Sequence, residues 1–537
     1  MINREYDIRK VASSLGLSEE DIIPFGYDKC KIDTDRVGVN LPKKGKIILC
    51  TAITPTKAGE GKTTTAIGLA DGLKEIGANV LACLREPSLG PVFGVKGGGA
   101  GGGEATLYPE EDINLHFTGD LHAITSLHNL IAALIENELY QHSELDVDPD
   151  KIIFPHTMDM NDRSLRDIIV ANNDPKTVPH KSSFVITAAS EVMAIFCLSK
   201  DEEDFLDKIE SITVAYNKKG EPIFARDLES REAFRKLIHT ALYPNLVQTK
   251  YHTPAIVHGG PFANIAHGTN TIIATNLSLK LADYICTEAG FGSDLGMEKY
   301  LDIVSPLAGF NPSLIVMVVT ARALKLHGGV KFENLTHSDP EAVKRGLPNL
   351  RKHLDNVKLY NIPTLVSINR FKDDSDEEIE AIEEYLKENG FDFALNTSYL
   401  DGPKGAVALA KEAKRIVDSI EENKFAPIVN PSMSIKEKIE TISKCIYGAK
   451  DVVYSDEANK LIEEYIARGY SDYNICISKT PNSLSDDMHL LNVPEHTIHV
   501  RTLRLFTGAR FIVPLTGDVF TMPGLPKVPA SKKMSVK

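Results

Sequence analysis

Residues 46–54, KIILCTAIT, are a short run of apolar and β-branched positions that stops at Pro55 and a glycine-rich turn, the pattern of a buried strand. From Lys62 the period changes. Ile67, Leu69, Ala70, Leu73 and Ile76 recur at helical spacing, and Gly77 offers the left-handed residue that commonly ends a helix. Asn79–Leu84 is a second buried run. Strand, loop, helix and strand in that order make a βαβ unit, which requires parallel strands and puts a ligand at their carboxyl ends. Apolar runs at Ser183–Ala188, Ser313–Thr320, Thr364–Asn369 and Asn474–Ile477 follow, separated by helical stretches such as Asp376–Asn389. They extend the parallel-sheet prediction past the first unit, and the pattern predicts an α/β chain.

At 537 residues the chain exceeds what one core serves, so roughly three or four domain-sized units are expected. Changes in composition place boundaries near 110, 240 and 360. Residues 1–110 and 240–360 are read as two parts of one nucleotide domain, 111–239 as a smaller inserted domain and 361–537 as a C-terminal domain. The acidic run Asp373–Glu388 reads as a solvated helix face. Hydrophobic content of 42% and charged content of 25% are ordinary, and no apolar run approaches the ~20 residues of a spanning helix. The N-terminal residues are charged throughout, unlike a secretory signal, so a cytoplasmic location is expected. A net charge of −14 disfavours nucleic acid and anionic membrane as partners, which leaves small-molecule chemistry. The seven cysteines are scattered without a CxxC pair and are read as reduced thiols. His116, His122, His128, His258 and His267 lack ligand spacing and are read as structural, with no transition-metal site.

The chemistry is concentrated after the first strand. Thr56-Lys57-Ala58-Gly59-Glu60-Gly61-Lys62-Thr63 follows a strand and opens a helix, the setting of a phosphate-binding loop, although Thr56 stands where the motif has glycine. Gly59 and Gly61 allow backbone N–H groups to converge on a polyphosphate, and the helix start adds its partial positive charge. Lys62 would reach the β and γ phosphates, and Thr63 would offer its hydroxyl to Mg²⁺. An ordinary glycine turn before a helix is the competing reading. Arg85 lies at the end of the next strand, where its guanidinium could hold a carboxylate or a phosphate; a surface pair with Glu86 explains it equally well. Residues 94–103 contain glycine at such density, with Lys96 among them, that a loop is expected. Lys96, Gly97 and Gly98 are candidate anion contacts, with a flexible linker as the alternative.

These residues resemble a known family. Residues 94–103, GVKGGGAGGG, and 319–329, VTARALKLHGG, resemble the two signatures of the formate–tetrahydrofolate ligases. So do REPSLGPVFG (85–94), EDINLHFTGDLHAI (111–124), ASEVMAI (189–195), HGGPFANIAHG (258–268), TEAGFG (287–292) and TMPGLPKVPA (521–530), in order along nearly the whole chain. The resemblance implies ligation of formate to tetrahydrofolate with ATP through formyl phosphate, giving 10-formyltetrahydrofolate, ADP and phosphate. It implies a large nucleotide domain containing the phosphate loop, two smaller α/β domains and a homotetramer. By position, Lys62 and the loop would bind ATP, Arg85 would hold formate and formyl phosphate, and Glu86 would belong to a monovalent-cation site for K⁺ or NH₄⁺. Asp120 would position the reacting amine or accept its proton. Phe371 and Tyr399 would sandwich the folate rings.

The sequence departs from the family pattern at Tyr399, where tryptophan is usual, at Glu104, at Lys57 and at Val304-Ser305-Pro306. These departures bear on affinity and leave a related ligase acting on a modified pterin as the alternative acceptor reading. A nucleotide-dependent switch or a folate-binding protein without catalysis is the reading from another class, and the joint presence of Lys62, Arg85 and Asp120 argues against it.

Overall fold

The computed structural model describes residues 5–37, 41–96, 98–172, 176–263, 265–517 and 520–534. The first apolar run forms the strand Lys46–Ala52, the second forms Val80–Leu84, and Lys62–Glu75 is the helix between them. Continuous rather than alternating hydrophobicity has a simple cause here. Ile47 and Leu49 enter the core on one face of the sheet while Ile48 and Cys50 enter the core on the other, so every position meets apolar packing.

These strands belong to a 12-stranded, mostly parallel sheet. In chain order its strands are Ile22–Pro24 (β1), Cys30–Ile32 (β2), Lys46–Ala52 (β3), Val80–Leu84 (β4), Gly101–Gly102 (β5), Ala105–Tyr108 (β6), Asn245–Thr249 (β7), Pro254–Val257 (β8), Tyr284–Glu288 (β9), Pro312–Val319 (β10), Thr364–Asn369 (β11) and Asp392–Asn396 (β12). Their spatial order is β1-β2-β7-β8-β4-β9-β3-β10-β11-β12, with β6 pairing the far end of β7 and β5 pairing β6. From β8 to β12 every pairing is parallel, so the carboxyl ends of these strands share one edge. At the other end β1, β2 and β7 run antiparallel to their neighbours, and Asn245 of β7 lies opposite Val257 of β8 and Lys31 of β2.

Two of the predicted runs leave this sheet. Phe184–Ile186 pairs with His156–Met158, and Asn474–Ile475 pairs with Phe511–Leu515, each in a small separate sheet. A hydrophobic run identifies a strand and not its neighbour, so the pattern could not assign them. Within 111–239 lie the long helix Asp120–Gln141 and three small sheets. The large sheet runs on past residue 360, since β11 pairs in parallel with β10 and β12 with β11. The acidic run forms the helix Asp376–Glu388, capped by Ser375. Its exposed face is acidic as expected, except that Glu378 is fully buried in an ion pair with Lys325 at 2.8 Å.

Candidate functional site

The loop after β3 is shaped by two left-handed glycines and one buried carboxylate. Gly59 and Gly61 have φ of +80° and +74°, a region unfavourable to other residues, and Gly61 sits immediately before the first turn of Lys62–Glu75. Lys57, Ala58 and Gly59 are exposed, whereas Lys62 and Thr63 are half-buried in that first turn. Glu60 turns inward. Its carboxylate accepts the Thr56 N–H at 2.6 Å and the hydroxyl of Thr320, the residue that follows β10, and it is only 1% exposed. Asn369, at the end of β11, donates to the Glu60 carbonyl at 3.2 Å and to Thr65 Oγ1 at 2.8 Å. Glu60 thus acts on the shape of the loop, tying it to two neighbouring strand ends.

The end of this loop meets residues from two adjacent strand ends. Thr63 donates its hydroxyl to Glu288 Oε2 at 2.7 Å, and Arg85 Nη2 lies 3.4 Å from Glu288 Oε1. Glu288 ends β9, which lies between β3, the strand before the loop, and β4, the strand before Arg85. The surface pair of Arg85 with Glu86 is therefore not what forms: the guanidinium pairs with Glu288 and also donates to the Pro261 carbonyl at 3.5 Å. Glu288 went unassigned in the sequence, although it closes the apolar run YICTE and lies in the matched segment TEAGFG.

Glu86 and Asp120 enter a buried polar cluster next to Arg85. Asp120 is 1% exposed and opens the helix Asp120–Gln141, so it is neither in a loop nor solvated. Lys31 Nζ donates to its Oδ1 at 2.7 Å and Asn245 Nδ2 to its Oδ2 at 2.7 Å. Lys31 also donates to the Tyr243 carbonyl at 2.8 Å. A lysine between Cys30 and Ile32 in a buried strand was the signal that sequence reading passed over. His258 Nε2, 3.9 Å from Asp120 Oδ2, faces the Ala241 carbonyl at 2.7 Å, and its Nδ1 faces Thr271 Oγ1 at 2.7 Å. A carbonyl can only accept, so Nε2 carries the proton and Nδ1 accepts from Thr271. Burial lowers the pKa of His258 to about 4, which keeps it neutral at physiological pH. Burial pushes Glu86 well above the usual carboxylate range; Asp120 adds to the rise and Lys31 opposes it. Among the described residues Glu86 Oε2 has no hydrogen-bond partner, so this site can accept a positive charge.

The glycine run is only partly the loop expected of it. Residues Val92–Lys96 form a wide helical turn, and Gly101–Gly102 pairs antiparallel with Ala105–Thr106. Gly97 and the side chain of Lys96 lie outside the described residues. Gly98 packs on Asn114, whose Oδ1 accepts the Gly99 N–H at 2.7 Å. At Gly103 a Cβ would come 2.3 Å from the Tyr399 carbonyl, so the glycines here serve close backbone packing around the aromatic site. Glu104, one of the departures, is turned to Lys250 at 2.8 Å and Tyr251 at 2.6 Å. Of the other departure, Val304 and Ser305 are buried and Pro306 is exposed.

Phe371 follows β11 and Tyr399 follows β12, which brings their rings to 6.4 Å with planes at 54°. Arg322 lies over the Phe371 ring at 4.5 Å. Tyr399 is 46% exposed and tilted against Phe371, so the two rings do not form parallel walls. Of the histidines, His128 and His258 are buried and held by backbone carbonyls, while His116 and His122 are exposed. His267 is buried beside Lys299 and Arg85, and burial with those two charges lowers its pKa to about 3. Among the described residues no group of three or more His, Cys, Asp or Glu side chains could hold a metal ion, and no helix is long and apolar enough to cross a membrane. The phosphate loop, Arg85, Glu288 and the aromatic pair gather at the carboxyl edge of the parallel strands, and a family model described as formate–tetrahydrofolate ligase matches residues 2–537.

Proposed function

The chain belongs to the formate–tetrahydrofolate ligase family, and from that premise we propose how its residues join formate to tetrahydrofolate with ATP. The loop Thr56–Thr63 is the phosphate loop, with N–H groups at the helix start and Lys62 directed to the β and γ phosphates. Formate's carboxylate is resonance-stabilised and a poor acyl donor, so one oxygen must first become a leaving group. Arg85 holds formate beside the loop; the formate oxygen attacks the γ phosphorus, ADP departs and formyl phosphate stays on the guanidinium. The tetrahydrofolate nitrogen then attacks the formyl carbon and phosphate leaves. Asp120, oriented by Lys31 and Asn245, takes the proton which that nitrogen loses. Phe371 and Tyr399 flank the folate rings.

Mg²⁺ fits the hydroxyl of Thr63, and when bound it draws charge from the phosphate oxygens. A K⁺ or NH₄⁺ ion fits Glu86, whose carboxylate lacks a partner on Oε2 and would be held ionised by a cation. The domain plan belongs to the same reading, with 1–110 and 240–360 as two parts of the nucleotide domain, 111–239 inserted and 361–537 as the C-terminal domain carrying the aromatic pair, whose first two strands continue the large sheet. A homotetramer belongs to the same reading.

The observation that carries it is the Thr63–Glu288–Arg85 contact, which fixes an anion-binding guanidinium beside the phosphate loop. The test is to incubate the protein with Mg-ATP, tetrahydrofolate, potassium and ¹⁸O-labelled formate. Formylated folate with ¹⁸O recovered in inorganic phosphate is expected. Unlabelled phosphate would sink the formyl phosphate step, and no formylated folate would sink the whole reading. The tilt and exposure of Tyr399 favour a second reading at the acceptor alone, in which the substrate is a modified reduced pterin. Comparing kcat/KM for the two acceptors decides between them.

A further inference from the structure

Glu288 joins the phosphate loop to Arg85 directly, and the reaction as set out uses it only to hold the guanidinium in place. It is 4% exposed, ends β9 and lies opposite Cys50, two residues before the end of β3. Its two oxygens face Thr63 and Arg85. A carboxylate built into the place where a polyphosphate and a formate are to meet opposes both by charge. Arg85 offsets that charge at Oε1, and a cation beside Thr63 would offset it at Oε2.

The geometry says what that is. An octahedral Mg²⁺ with ligands at about 2.0–2.1 Å holds neighbouring ligand oxygens roughly 2.9 Å apart. Thr63 Oγ1 and Glu288 Oε2 are 2.7 Å apart, already close to the edge of such an octahedron. A hydroxyl that donates its hydrogen to a carboxylate keeps its lone pairs for a cation. Hydroxyl plus carboxylate, from a helix start and a neighbouring strand end, is also a suitable donor set for Mg²⁺, which takes one or two carboxylates and completes its shell with water and phosphate.

We infer that Glu288 is the second protein ligand of the Mg²⁺ that accompanies ATP, occupying the position next to Thr63. This rests on the ATP reading above. The test is calorimetric titration of the full chain with a non-hydrolysable ATP analogue, with Mg²⁺ and with EDTA, for wild type and Glu288→Gln. Wild type is expected to bind at least tenfold more tightly with Mg²⁺. Glu288→Gln should lose most of that gain while its metal-free affinity is unchanged or higher, because a negative charge has been removed from the phosphate site. A full Mg²⁺ gain in the variant overturns the assignment. So does an equal loss of affinity with and without metal, which would mark Glu288 as a structural brace only. If Glu288→Gln does not fold, Glu288→Asp, with its carboxylate withdrawn by one methylene, should show a reduced gain, and a gain equal to that of wild type overturns the assignment. Absence of any Mg²⁺ gain in wild type would instead strike the ATP reading itself.

Discussion

Replacing Glu60 by alanine tests whether a buried carboxylate holds the phosphate loop in shape. The substitution removes the acceptor for the Thr56 N–H at 2.6 Å and for the Thr320 hydroxyl, both on residues largely shielded from solvent. A buried donor left without a partner costs about 1–3 kcal/mol, and the space vacated by the side chain can admit water, which favours the lower end. Two donors at about 1 kcal/mol each give about 2 kcal/mol, or roughly a 30-fold rise in the local opening equilibrium. The cost should fall on the loop, because the sheet beneath it keeps its core. Hydrogen exchange at the Thr56 amide is the direct assay and should accelerate by roughly 30-fold, with the amides of β3 little changed. ATP affinity should fall with it, since the loop must be re-ordered on binding. Glu60→Gln should restore most of both, because the amide oxygen can accept from Thr56 while its NH₂ donates to Thr320. Wild-type exchange and ATP affinity in Glu60→Ala would refute the reasoning.

Other expectations follow from the same edge of the sheet. Lys62→Ala should abolish both ADP release and formylation, whereas Arg85→Ala should slow formyl phosphate formation by about 100-fold with ATP affinity nearly intact; a larger loss of ATP binding than of formate binding would reverse the role of Arg85. Tyr399→Trp should lower KM for tetrahydrofolate about 3-fold, from ~0.7 kcal/mol of added stacking, with kcat unchanged; an unchanged KM would remove Tyr399 from the folate site. Glu191 accepts the N–H groups of Gly508 at 2.7 Å and Ala509 at 3.2 Å, yet burial outweighs them and pushes its carboxyl up to about 8 from an ordinary 4.5. Such a raised group contributes stability that is full below pH 4.5 and is lost as pH rises through 8. Glu191→Gln should therefore gain in Tm relative to wild type as pH goes from 5 to 8, and a constant Tm difference would contradict the shift.

The β3–loop–helix–β4 unit was legible because its information is local. Apolar run, glycine turn and helical period lie within 40 residues or so, and the structure differs from the reading only by a residue or two at each end. For Ser183–Ala188 and Asn474–Ile477 the same reading found strands that do pair in parallel, but in small sheets of their own, and in the glycine run backbone pairing and close packing replace part of the loop. At the site, the phosphate loop, Arg85, Phe371 and Tyr399, each named in advance, lie at or near the carboxyl edge. Their partners were not named: Lys31 and Asn245 belong to segments with no motif of their own, and Glu288 lies in the matched segment TEAGFG without a role attached to it.

By itself the sequence determined an α/β chain, a phosphate-loop candidate, and a resemblance specific enough to state the reaction. Only the tertiary structure decided that Arg85 pairs with Glu288 and not with its neighbour Glu86, that Asp120 is buried on Lys31, and that Glu60 braces the loop from inside. The physical reason is one of range. Hydrophobic period and turn chemistry act between residues a few positions apart, whereas Thr63 and Glu288 are 225 positions apart in the chain and meet because parallel pairing puts the ends of β3 and β9 side by side.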